Sequence, residues 1–283
     1  MRSRLFAVAA LVALVGAACS SGSSSSTKTL LDQVKSNGKL RVATDPAYPP
    51  QSSYDEATQK WQGFDIDVAN EVAKRLGVQV SFVTPSWDLI TAGHWNGRWD
   101  VSVGSMTPIA DRQKVLDFTP AYYFVPAVVV VKNDSTFASF DDLAGKSIGS
   151  CDPCTYSEYI KRTLNIPGFP ATFVLPQDMK FTGYDTDSTA LDQLAIGRLD
   201  AVLTSLTTAT QAIKDGKPFK LLGNPVFFEP DSIAIDKSAS LNPTSLVDQV
   251  SKIVEDMHSD GTLTTLSKKW FGGLDLSVST PAG

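Results

Sequence analysis

Cysteine and histidine are scarce in this chain, with three Cys and two His among 283 residues. That leaves little room for a zinc cluster, which draws four ligands from these types. Basic runs are also missing. There are 25 Lys and Arg against 30 Asp and Glu, for a net charge of −5. Arg2 and Arg4 fall in a removable segment, so the rest of the chain is more acidic still. An acidic surface without clustered Lys and Arg argues against nucleic acid as a partner, because phosphates need such clusters. Beyond the N-terminus no apolar run approaches 18 residues, so no later segment spans a bilayer. Charged residues make up 19% and hydrophobic ones 42%, the balance of a globular chain with one large or two ordinary domains.

What is present begins with an export signal over residues 1–18. Arg2 and Arg4 form a positive region, and Leu5 to Val15 an apolar run too short to cross a membrane. Gly16, Ala17 and Ala18 lead to Cys19, resembling the lipobox of bacterial lipoproteins, although Gly16 stands where that pattern usually has Leu. The other reading is an ordinary cleavage site with an incidental Cys. The stretch over 19–27 is nearly all Ser, a flexible tether that favours lipidation at Cys19. Two acyl chains would hold the protein on the extracytoplasmic face of the cell membrane.

The folded part alternates strand and helix patterns. Leu40–Thr44, Val78–Val83, Asp100–Val103, Val125–Lys132, Lys146–Ser150, Asp200–Leu203 and Ser232–Ile235 read as strands. Asp65–Leu76, Thr155–Leu164, Asp187–Ile196 and Thr244–Met257 carry apolar residues at helical spacing. This order predicts an α/β fold with mainly parallel sheets.

Several local patterns carry chemistry. Ser105–Phe118 (SMTPIADRQKVLDF) follows a strand with hydroxyls and then Arg112, a guanidinium whose fork suits a carboxylate. On pattern alone the bland reading has the better claim: a solvated helix start with Asp111 and Arg112 paired at the surface. Cys151 and Cys154 form a CxxC. Outside the cytoplasm a plain disulfide is favoured over a redox pair or a metal site. Thr155 and Glu158 fit a helix cap. Gly145-Lys-Ser147-Ile-Gly149 matches GxSxG, but Ser147 enters a strand instead of leaving one, the wrong setting for a nucleophile. His94 and His258 stand alone, without a Cys or Ser at catalytic spacing.

Taken together, LRVATDPAYPP, GFDIDVANEVAKRLG, GRWDVSVGSMTPIADRQKVLDFTPAYY, DDLAGKSIGS, LAIGRLDAVLT and DGTLTTLSKKWFGG occur in an order that resembles the periplasmic amino-acid-binding proteins (bacterial extracellular family 3). The resemblance spans about residues 28–273. It implies a two-lobed periplasmic binding protein fold with two crossing strands forming a hinge, lobe 1 being 28–124 plus 229–283 and lobe 2 being 125–228. It implies a solute-binding subunit of an ABC importer: a monomer without cofactor, not an enzyme, partnered by permease subunits and a small polar solute. An enzyme resembling cyclohexadienyl dehydratases is the alternative.

Residue by residue, Arg112 falls on the position that clamps the ligand carboxylate, and Ser105 and Thr107 on the loop that assists it. Thr155 falls where a backbone N–H meets the same group across the cleft. Asp45 falls on a ligand side-chain contact, and Tyr48 and Trp87 on two aromatics that sandwich the ligand. Two positions depart from the pattern. Ile109 replaces a usual Thr, and Ser205 replaces the Asp that balances the ligand ammonium. Either Asp45, Asp185 or another acid takes over that charge, or the ligand is not a standard α-amino acid.

Overall fold

Val125 to Lys132 forms the second half of a strand far longer than its β-branched run suggests. The computed structural model describes residues 28–278; the expected export signal over 1–18 and the expected lipidation site at Cys19 lie outside the described residues. In chain order come α1 (Leu30–Asn37), β1 (Lys39–Ala43), β2 (Ala47–Tyr48), β3 (Ser52–Asp55), β4 (Lys60–Gln62), α2 (Phe64–Leu76), β5 (Gln79–Val83), α3 (Trp87–Thr91), β6 (Val101–Met106), α4 (Arg112–Val115) and β7 (Leu116–Lys132). Then follow β8 (Ser147–Cys151), α5 (Thr155–Ile160), β9 (Lys180–Tyr184), α6 (Asp187–Ala195), β10 (Ala201–Ser205), α7 (Leu206–Lys214), β11 (Phe219–Asp236), α8 (Thr244–Ser259) and α9 (Thr262–Trp270).

The large sheet runs β5-β1-β6-β11-β7-β10-β8-β9. Its outer parts are parallel, with β1 beside β5 and β6, and β8 beside β9 and β10. The two long central strands are antiparallel to each other and to β6 and β10. The sheet is therefore mixed, where the sequence predicts mainly parallel pairing. The reason is that β7 and β11 pass from one half of the molecule to the other. They pair Leu116 with Asp236 at one end and Lys132 with Phe219 at the other, with register shifts between.

Alternation along these strands builds the two halves. In β7, Ala127, Val129 and Val131 face one core cluster, while Val128 and Val130 face another on the opposite side of the sheet. In β11, Ile233 and Ile235 join the cluster formed with α2, α8 and α9, and Ala234 turns to the side of Trp95 and Trp99. Successive side chains of a strand point to opposite faces, so each half is a sheet covered on both sides. Burying each of these valines contributes roughly 2 kcal/mol. Helix α8 buries Leu246, Val250, Ile253, Val254 and Met257, as its spacing predicts. Ser147 begins β8, and its hydroxyl donates to Asp200 at 2.7 Å, a structural role.

Helix α2 and the central strands also fix the loop that follows β6. Asp65, on the first turn of α2, is buried and accepts the Tyr122 hydroxyl and the Ser105 hydroxyl, each at 2.8 Å. The Tyr122 hydroxyl accepts in turn the Ser105 N–H at 3.0 Å. Ser105 is held at a φ of 52°, a left-handed conformation that costs a non-glycine residue free energy and needs such support. Gly63 precedes α2 with a φ of 134°, and a Cβ there would lie 2.2 Å from the Gln51 carbonyl oxygen.

Burial pushes the Asp65 carboxyl up to about 7, from 3.8 when exposed. The folded state thus keeps a proton that the unfolded chain has lost, so this contribution to stability is present at low pH and lost as pH rises from about 4 to about 7. The slope per group is at most about 1.4 kcal/mol per pH unit. Thermal melts of the ligand-free protein should fall across that window, and the Asp65→Asn variant should fall less. An unchanged slope in the variant would refute the assignment.

Candidate functional site

A cavity of about 520 Å³ opens between the two halves. Its first wall comes from the loops after β1, β5 and β6, its second from the loop into α5 and the start of α6. Parallel strands put their carboxyl ends there, the usual place for ligands in open α/β sheets.

Arg112, at the start of α4, is only 6% exposed and lines this cavity. One Nη donates to the Thr107 carbonyl at 3.0 Å, and the guanidinium lies 5.1 Å from the centre of the Trp87 ring. Trp87 thus orients the guanidinium as well as lining the cavity. No carboxylate stands within 4 Å of Arg112 among the described residues, and the Asp111 carboxylate pairs with Lys114 instead. Burial pulls the Arg112 pKa down, opposed by the more distant Glu158, Glu229 and Asp231. The surface-pair reading of Arg112 fails on this placement.

Ser105, Thr107, Thr155, Asp45, Tyr48 and Trp87 line the same cavity. Several of their polar groups are already engaged. The Ser105 hydroxyl turns to Asp65. The Thr107 hydroxyl lies 2.9 Å from Asp231 and 3.2 Å from Glu229. The Thr155 hydroxyl donates to Glu229, as does the Tyr156 hydroxyl, the latter at 2.5 Å. Asp45 accepts the Ala47 N–H at 2.7 Å, and burial raises its pKa. Cys151 and Cys154 are joined in the structure and lie at the base of α5, on the second wall.

Ser205 and Ile109 stand elsewhere. Ser205 is fully buried behind the wall, where its hydroxyl caps α7 by accepting the Thr208 N–H at 3.0 Å. Tyr48, which lines the cavity, has its hydroxyl beside Ser205 and Tyr156. Ile109 belongs to the hydrophobic cluster of the second half, alongside Tyr156 and Tyr159. Both departures from the expected residues therefore join the halves together. Next to Ile109, the Ala110 N–H donates to the Asn165 carbonyl at 3.1 Å. Gln51, from the first half, donates through Nε2 to Thr207 at 2.6 Å and to Ser205 at 3.3 Å. These contacts bridge the two halves directly.

Three residues of this site escaped the sequence reading. Glu229 is an acid in the apolar run VFFEPDSIAI, a signal in hindsight. Asp187 opens a helix, where an acid is ordinarily explained by the helix dipole. Gln51 leaves no sequence signal at all. Six acids line the cavity (Asp45, Asp88, Asp152, Asp185, Asp187 and Glu229) against Arg112, and no lysine does. Among the described residues, Asp152 alone of these has a cationic partner within 4 Å, Lys161 at 2.7 Å.

Comparison with known proteins agrees with this architecture. The family model for bacterial extracellular solute-binding proteins, family 3, matches residues 40–273. The L-cystine-binding protein TcyA of Bacillus subtilis (strain 168) is 34% identical over 282 residues, covering 95% of this chain and 96% of TcyA. The L-cystine-binding protein TcyJ of Escherichia coli (strain K12) is 30% identical over 246 residues, covering 86% of each. Among solved structures, an ancestral arginine-binding protein bound to arginine superposes with a TM-score of 0.71 at 32% identity, over 83% of this chain and 99% of the other. The ancestral amino acid-binding protein AncCDT-1, a precursor of cyclohexadienyl dehydratase, gives 0.73 at 29% identity, over 85% and 99%.

If the Gln51 bonds hold the jaw shut, Gln51→Ala should weaken amino-acid binding by roughly 5–10-fold, the worth of one or two hydrogen bonds. Small-angle scattering should show the loaded variant more open than wild type. Unchanged affinity and unchanged scattering together would rule the latch out.

Proposed function

The chain belongs to the bacterial extracellular solute-binding proteins, family 3, and on that premise we propose that it captures an amino acid by its carboxylate on Arg112 and delivers it to an ABC permease. That it is a solute-binding protein of the amino-acid ABC transporter class, on the two-lobed fold of its neighbours, follows from the family and the relatives. Its matched curated relatives are named as binding proteins.

One observation carries the finer reading. A buried guanidinium over the Trp87 ring has no carboxylate of its own among the described residues, yet it faces a cavity large enough for an amino acid. A charge removed from water calls for a partner, and a ligand carboxylate supplies it in bidentate geometry. Thr107, through its carbonyl, positions the guanidinium. Lobe boundaries at 124/125 and 228/229 cut β7 and β11 where Val125 pairs with Glu229. Closure about these two strands would seal the solute from water.

The excess of unpaired acids around the cavity favours a solute that also carries positive charge and disfavours acidic amino acids. TcyA and TcyJ are named for L-cystine, and a structural neighbour is bound to arginine; both compounds carry two cationic centres. Lipidation of Cys19, with the Ser-rich tether, would keep the jaw near its permease, and the Cys151–Cys154 bond suits an oxidising compartment.

Calorimetry with L-arginine, L-cystine and L-glutamate tests the reading. Wild type should bind one of the first two and not L-glutamate. Arg112→Ala should lose at least roughly 100-fold in affinity, and Arg112→Lys should lose most of it because the fork is gone. Full affinity in Arg112→Ala would refute the clamp. For the anchor, Cys19→Ser should move the exported protein out of the membrane fraction, and its retention there would count against lipidation.

A further inference from the structure

Accepting the cavity as an amino-acid site leaves one charge unanswered. An amino acid brings an ammonium as well as a carboxylate, and burying that ammonium without an anion is strongly unfavourable. Ser205 cannot serve. It carries no charge, it lies behind the cavity wall, and its hydroxyl is occupied by Thr208, Thr207 and Gln51.

Asp187, the first residue of α6, does line the cavity. Its side chain lines the cavity yet is only 4% exposed, and no hydrogen bond among the described residues reaches its Oδ1. An aspartate at a helix start is ordinarily a cap or a partner for the helix dipole, and such residues stay in water. Here the cap is already supplied, because the Thr186 hydroxyl accepts the Thr189 N–H at 3.1 Å. A buried carboxylate with an unused oxygen is costly unless something else completes it.

The surroundings distinguish Asp187 from the other buried acid of the cavity. Glu229 receives the hydroxyls of Thr107, Thr155 and Tyr156, so its oxygens are satisfied within the protein. Asp187 is approached by the Thr204 hydroxyl and the Cys151 N–H, and its Oδ1 still lacks a partner among the described residues. Arg112 belongs to the first half of the molecule and Asp187 to the second, and both face one cavity. We propose that Asp187 is the counter-charge for the ligand α-ammonium, doing from the start of α6 what the residue at position 205 does not. A zwitterion held between Arg112 and Asp187 would then tie the two halves together. Burial and the neighbouring Glu229 also raise the Asp187 carboxyl to about 7, the behaviour of an anion still waiting for its cation.

The test compares amino acids with analogues that lack only the α-amino group. The pairs are L-arginine with 5-guanidinopentanoate, and L-cystine with 3,3′-dithiodipropionate. Wild type should prefer the amino acid of at least one pair by roughly 100-fold. Asp187→Asn, and Asp187→Ser as a second variant, should shrink that preference below roughly 10-fold, while Ser205→Ala retains it. Thermal melts establish that each variant folds. Preference undiminished in both Asp187 variants would overturn this assignment alone. Equal loss of amino acid and analogue would also overturn it, marking Asp187 as structural. Wild type that binds no amino acid would instead break the underlying reading of the cavity, and the assignment with it.

Discussion

A guanidinium taken out of water and left without a carboxylate is the constraint around which this molecule is arranged. Arg112 sits at the first turn of a four-residue helix, held by the Thr107 carbonyl and the face of Trp87. Neither contact neutralises its charge. The loop that carries Thr107 is fixed by Ser105 in a left-handed conformation, and Ser105 is fixed by Asp65 and Tyr122. The clamp is thus supported by a chain of buried polar groups reaching back into α2 and the central strands. Pre-organisation of this kind lowers the cost of binding, because the ordering is done during folding.

The two crossing strands give the site its second property. β7 and β11 run through both halves, and Glu229 and Asp231 of β11 lie beside Thr107. Glu229 also receives hydroxyls from Thr155 and Tyr156 of α5. A carboxylate on the hinge is therefore hydrogen-bonded to both jaws at once. Gln51 bridging to Thr207 and Ser205, and Ile109 seated among the apolar residues of the other half, act in the same direction. These contacts join the two halves directly, so any opening of the cleft has to break them.

Much of the fold was legible from residues alone. The helices over Asp65–Leu76 and Thr244–Met257 showed themselves through apolar spacing and, for the first, a terminal glycine. The GxSxG match was rightly set aside, since Ser147 starts a strand. The length of β7 and β11 was not legible. Their outer portions mix Pro, Asp and aromatics, and they are strands because a neighbour pairs with them. Strand β9 was missed for a similar reason: as an edge with mostly exposed side chains it carries little apolar signal.

For the site, local pattern supported only a surface Arg112, and resemblance to a family was needed to move it into a cleft. Composition and periodicity by themselves determined an acidic α/β chain, because those properties are sums over residues or neighbours a few positions apart. Tertiary structure alone decided that Ser205 faces Gln51 and does not line the cavity, and that Ile109 packs among apolar residues of the other half. It also decided that Asp187 and Arg112 share one cavity. Those facts depend on where chain segments dozens of residues apart come to rest, and on which charges lose their water when they do.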